Sequence, residues 1–168
     1  MKRYFTKTLN ILLIIVLLVA LVGCGKKTPP RAPDLLSDIS KRTFNYFWEF
    51  AHPETGLVLD KYIDQAVASI AATGFGLAAL PIGVEKGWIT RAQGEERARK
   101  TLNSFASGLV EGKNGFFMHW VNRRTGKGMW DREISSIDTA LFIAGAIVAG
   151  EYFGGEIKEQ AENLYKAI

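Results

Sequence analysis

Carboxylates and an indole crowd the run Trp130-Asp131-Arg132-Glu133-Ile134-Ser135-Ser136-Ile137-Asp138, which then enters the small-residue apolar stretch Thr139-Ala140-Leu141-Phe142. A loop that brings acids to the mouth of a packed helix is equipped for proton transfer by side-chain carboxyls. Glu133 sits just outside the helix start and has no capping role to perform. Asp138 has a structural alternative: Ser135-Ser136-Ile137-Asp138 fits a helix-cap pattern. An acid in the first turn is also favoured by the helix dipole, by about 0.3–1 kcal/mol. Asp60 follows a glycine-led apolar loop and stands beside Lys61, so a surface ion pair competes with a role in a site. Asp64 and Asp131 complete the set of candidate acids. His119, Trp120 and Trp130 form an aromatic group that reads equally as a binding wall or as a hydrophobic lid.

Other chemistries find little support. His52 and His119 are the only histidines, with no partners at metal-ligand spacing, so no metal is expected. Gly74-Phe75-Gly76 reads as a helix-packing feature and not as a dinucleotide fingerprint, and no glycine-rich phosphate loop stands out, so no cofactor is expected.

The elements that must position these residues are mostly helices. From Asp34, Leu35, Leu36, Ile39, Thr43, Phe44, Phe47 and Phe50 recur at three- and four-residue spacing. Pro53 pushes His52 out of helical geometry, and Gly56 closes the turn. Leu57 to Tyr62 reads as a loop or short strand. Ser69 to Lys86 is apolar nearly all round and crowded with Ala and Gly, the mark of a helix buried on most sides; Pro81 is expected to kink it or end it early. Thr90-Arg91-Ala92-Gln93 is a capping box that opens an outer, charged helix to about Ser107. Phe116 to Val121 reads as a strand, Asn122 to Gly126 as a turn, and Lys127 to Trp130 as the return. A second all-round apolar helix is expected from about Ser136 to Phe153, and a second charged one from Glu156. Ser69 to Phe75 lines up with Ser136 to Phe142, 67 residues later. Inner helices alternating with outer ones make an α-hairpin solenoid or an α/α toroid.

The first 23 residues read as a secretory leader. Met1-Lys2-Arg3 and Lys7 form a basic segment, and Ile11 to Val22 is an unbroken apolar one. Leu21-Val22-Gly23-Cys24 resembles the lipobox of bacterial lipoproteins, and Cys24 is the chain's single cysteine. That resemblance implies that Cys24 becomes an acylated N-terminus, with residues 24–33 as a tether and the domain beginning at 34. The protein is then expected on the membrane of the bacterial cell envelope. The chain holds 21 Lys and Arg against 17 Asp and Glu; three of the basic residues lie in the leader, leaving 18 against 17, a net charge of +1. That balance gives no preference for nucleic acid.

Phe47-Trp48-Glu49, Gly56 to Lys61, Ala68 to Thr90, Phe116 to Gly126 and Glu133 to Phe142 together resemble the bacterial glycoamylase-like family. That family includes endo-β-1,2-glucanases and domains attached to cyclic β-glucan synthases. The resemblance implies an all-α fold, an (α/α)6 toroid of alternating inner and outer helices, here incomplete and with a small β-hairpin-like loop. It also implies a site on the loops at the inner-helix N-termini. The implied reaction is hydrolysis of a β-linked glucan by carboxylate acid/base catalysis without a cofactor. Glu133 and Asp138 are then the catalytic candidates. Asp60, Lys61, His119, Trp120 and Trp130 are the substrate-binding candidates, the aromatic planes packing on the C–H faces of sugar rings. One departure is Leu59, which stands where the family commonly has an arginine. A full toroid needs roughly two to three times this length, so the chain is expected to be the N-terminal part of such a domain, a fragment or a truncated reading frame. The competing expectation is an inactive glycan-binding or structural helical lipoprotein, with an exposed apolar flank and oligomers formed through that unfinished edge.

Overall fold

The two all-round apolar segments fold as helices that lie against each other at backbone distance, and the rest of the fold is arranged about that pair. The computed structural model describes residues 34–168. The expected leader, lipidation at Cys24 and tether fall outside the described residues. In chain order the elements are α1 (Leu35–Glu49), β1 (Val67–Ser69), α2 (Ile70–Glu85), α3 (Arg91–Ala106), β2 (Gly112–Lys113), β3 (Phe116–Phe117), β4 (Trp120–Asn122), α4 (Ser136–Phe153) and α5 (Gly155–Lys166).

Helices α2 and α4 make the most extensive helix–helix contact, α4 packs on α5, and α5 on α3. Glycine makes the α2–α4 approach possible. A methyl group built on Gly74 would stand 2.6 Å from Phe142 Cα, and one on Gly145 would collide with the Gly74 carbonyl. Around this seam Leu77, Leu102, Phe105, Phe142, Ala146 and Ala149 form the core, with Phe105 and Phe142 stacked at 3.7 Å between ring centroids. Helix α4 is long and apolar enough to cross a membrane, yet half of it is buried inside this fold. Burial against α2 explains its composition.

The local signals behave as their chemistry dictates, with two exceptions. The Thr90–Gln93 capping box forms in both directions, and α4 begins at Ser136 and ends at Phe153 as expected. Helix α2, however, runs on past Pro81 to Glu85. Proline removes one backbone donor, and the buried Leu77 and Leu80 hold the turn around it. The helix ends at the close of its expected span, with Lys86 as cap, and Gly87, with φ of +67°, lets Trp88 N–H donate to the Gly83 carbonyl at 2.8 Å. The second exception is Phe116 to Val121, which is split: β3 pairs with β2, whereas β4 pairs with β1.

Short strands tie the loops to the helix starts. Ser69 faces Trp120, Ala68 faces Val121 and Val67 faces Asn122. Single bridges from Leu59 to Ala68 and from Val121 to Gly128 extend the arrangement on both sides. All partners are antiparallel, so this patch has one end at the start of α2 and the other at the Asn122–Lys127 turn.

Apolar side chains remain exposed in a regular pattern. Ile137, Ala140, Leu141, Ala144, Ile147 and Val148 form an open stripe along α4 at three- and four-residue spacing. Leu35, Leu36 and Ile39 of α1 are likewise exposed, so the first turns of that helix do not bury the stripe expected of them.

Candidate active site

Both inner helices start in the same way. The caps are Ser69 and Ser135, whose hydroxyls accept from the N–H of Ala72 and of Asp138. Four residues after each cap a buried threonine donates to the cap's carbonyl, Thr73 at 2.8 Å and Thr139 at 2.7 Å. Each threonine oxygen then accepts from an extended neighbouring segment: Val58 N–H at 3.1 Å and Phe117 N–H of β3 at 2.9 Å. The repeat is therefore real but offset by 66 residues, not 67, because the cap serines are equivalent and Ser136 is one residue too late. In the corrected register Asp138 is matched by Ala72.

That register decides what Asp138 is not doing. In a capping box its side chain would accept from the cap's own N–H. Here Ser135 N–H donates to Phe117 carbonyl at 3.0 Å, and the Asp138 carboxylate accepts instead from the Ser135 hydroxyl. Its other oxygen lies 3.6 Å from His119 Nε2. Asp138 is 5% exposed, and the first helix is built without an acid at the matching place. The result is a buried carboxylate that accepts from a hydroxyl and faces an imidazole at the start of α4.

The neighbouring candidates gather around it. The Glu133 carbonyl accepts from His119 N–H at 2.8 Å, which fixes the loop against the strand end, while the Glu133 residue itself is exposed. His119 stacks on Trp120 at 3.4 Å and 14°, and Trp130 meets Trp120 edge-on at 5.2 Å and 78°. Trp120 is thus flanked by both rings and half-exposed, whereas Trp130 is 61% exposed. Trp120 Nε1 is buried without a hydrogen-bond partner.

Asp60 and Lys61 come from the loop beside β1: Asp60 N–H donates to Val67 carbonyl at 3.0 Å, two residues before the Ser69 cap. Its carboxylate pairs with Lys61 at 3.8 Å. Burial, then the Asp60 charge, holds the Tyr46 phenol above its usual pKa, and Tyr46 Oη donates to the Leu59 carbonyl at 3.1 Å.

Sequence reasoning missed Glu111. It forms an ion pair with Arg132 and accepts from Gly128 N–H at 2.8 Å. Trp130 and Arg132 both have positive φ, 49° and 53°, and this pair holds the turn that presents Trp130. No signal in the sequence links positions that far apart. Among the described residues no group of three or more His, Cys, Asp or Glu is placed to hold a metal ion.

No family model matches the chain. A glucoamylase-like protein of known structure from Bacteroides uniformis is 31% identical, with a TM-score of 0.74 over 79% of this chain and 35% of its own. The endo-β-1,2-glucanase of Chitinophaga pinensis, solved with sophorotriose and glucose, is 30% identical, with a TM-score of 0.68 over 78% of this chain and 35% of its own. The chain is homologous to glucoamylase-like and β-1,2-glucanase proteins. A curated relative, the exo-β-1,2-glucooligosaccharide sophorohydrolase (non-reducing end) of Parabacteroides distasonis, is 29% identical over 152 residues, which are 83% of this chain and 21% of that protein. The chain thus spans about a fifth of the curated relative and about a third of the two solved ones. Its solved glucoamylase-like neighbours are α/α toroid proteins, and the described helices follow that pattern of inner and outer layers.

Proposed function

We propose that this chain supplies one wall of a site for β-linked glucan, in a glycoside hydrolase-like protein lipid-anchored through Cys24 to the bacterial envelope. The observation that carries the reading is Asp138, buried beside His119 at the paired inner-helix N-termini, close to the exposed Trp130. A glycosidase needs a carboxyl group on each side of the bond it cleaves. Glu133 is the solvent-facing acid on this wall, suited to pass a proton to or from a glycosidic oxygen. Asp138 is enclosed and orients the His119 imidazole. Trp130 offers an open ring face to a sugar. The apolar stripe on α4 supports placing the chain as the N-terminal part of a larger α/α domain whose further helices would cover it.

A second reading, glycan binding without turnover, is favoured by one specific feature: the Asp138 carboxylate is engaged by Ser135 and His119 and does not open to solvent. Because one wall binds more readily than it cleaves, turnover by this chain by itself is expected to be weak or absent. The purified full chain in detergent, given linear β-1,2-glucan, distinguishes the readings. Turnover lost on Glu133→Gln supports hydrolysis. Binding without turnover, weakened by Trp130→Ala, supports the second reading. No binding and no turnover overturns both.

A further inference from the structure

The Asn122–Lys127 turn lies at the end of the strand patch away from the candidate active site, and an open groove of about 600 Å³ runs beside it. His52, Gln65, Asn122, Arg123 and Arg124 line it. That volume suits a small molecule better than a single ion.

The charges there are unbalanced. Among the described residues neither Arg123 nor Arg124 has a carboxylate at ion-pair distance, although eight Lys or Arg side chains pair with carboxylates elsewhere. Arg123 Nη1 is buried with no hydrogen-bond partner. A guanidinium N–H withdrawn from water and left without an acceptor is costly, and an anion is the acceptor that satisfies it best. The backbone holds this arginine in place: Arg123 N–H donates to Ala66 carbonyl at 2.9 Å, and its carbonyl accepts from Thr55 Oγ1 at 2.6 Å. The nearby acids do not neutralise it. Asp64 accepts from Ala66 N–H at 3.1 Å, and Glu54 is outweighed at His52, whose pKa is lowered by burial and then by Arg123 and Arg124. Asn122 Oδ1 is taken by the N–H groups of Arg124 and Thr125 at 3.0 and 3.1 Å. The rest of the lining joins the polar side chains of Gln65 and Thr125 to the apolar Pro53 and Ala66, which suits a sugar ring with its hydroxyl edges and C–H faces.

We propose that this groove binds a phosphate or carboxylate group carried on a small sugar, with Arg123 and Arg124 as the anion-recognising residues. The site is separate from Glu133 and Asp138 and does not rest on their chemistry. Planar guanidinium groups recognise such anions by paired hydrogen bonds, which lysine does not reproduce.

Titration calorimetry on the full chain tests it, with glucose 6-phosphate, glucuronate, inorganic phosphate and glucose as probes. The expected result is binding of the two sugar anions and none of glucose. Affinity should fall about tenfold in Arg123→Lys and about threefold or more in Arg124→Gln, a solvent-exposed change that leaves the fold intact. Lys113→Gln, which removes the same charge outside the groove, should change nothing. Inorganic phosphate binding as tightly as glucose 6-phosphate would support the anion site while assigning it to free anions. Equal weakening by Lys113→Gln and Arg124→Gln, or no binding of any anion at millimolar concentration, would overturn the proposal.

Discussion

Gly145→Ala is the sharpest perturbation of the α2–α4 seam, because the two relevant effects differ in sign. Gly145 lies inside α4, where alanine is a better helix former by about 1 kcal/mol. If the glycine were incidental, the change would stabilise the protein. The added methyl would instead collide with the main-chain carbonyl of Gly74. Main chain cannot rotate aside, so the helices must move apart and loosen Phe142 and Ala146 in the core. Overpacking of this kind costs about 1–3 kcal/mol. Taking the upper end and subtracting the gain in propensity leaves a net loss of about 2 kcal/mol. For a domain of this size 1 kcal/mol moves Tm by about 3–5 °C, so Tm should fall by about 6–10 °C. Gly87→Ala is the control. It has φ of +67° with nothing within 4 Å of an added methyl, so it should lose only the left-handed backbone penalty, about 1–2 kcal/mol. A Tm for Gly145→Ala equal to or above that of the parent would refute the close-packed seam.

Two further outcomes follow from the threonine clamp and from His52. Thr139→Val should leave Phe117 N–H buried without its acceptor and cost about 1–3 kcal/mol, read as a lowered denaturation midpoint with an unchanged slope. His52 accepts from Glu54 and Thr55 N–H through Nδ1 at 3.3 and 3.4 Å, a bond it loses on protonation. Its folded pKa is lowered, so the unfolded chain binds the proton more tightly and stability falls as pH drops. The loss begins near the unfolded value of about 6.5 and is complete once pH passes below the folded one. Between pH 7.5 and 5 the parent should lose more Tm than His52→Gln; parallel curves would contradict the assignment.

What could be read from the sequence was whatever is local. The Thr90–Gln93 box, the ends of α4 and the paired inner helices are written in residues three or four apart, and they fold as written. The offset of the repeat is one residue ambiguous in the sequence because two adjacent serines compete for the cap, and the Ser69 and Ser135 cap bonds with the Thr73 and Thr139 hydrogen bonds tell them apart. Pro81 does not end α2 early, because its local penalty is outweighed by packing from distant residues. In the site, Glu133, His119, Trp130 and Asp138 were legible as chemistry-bearing residues and do lie together. The stacking of His119 on Trp120, the pairing of Asp60 with Val67 across the patch and the Glu111–Arg132 pair depend on tertiary contacts that no spacing along the chain encodes.

The central claim is that the inner-helix N-termini form a glycan-binding face. Titration of the full chain with a β-1,2-linked trisaccharide of glucose tests it most directly, comparing the parent with Trp130→Ala and Asp138→Ala. Measurable binding, weakened about fivefold or more in Trp130→Ala and also reduced in Asp138→Ala through the released His119, is the predicted result. Binding of equal strength in all three proteins would place the sugar elsewhere and contradict the account.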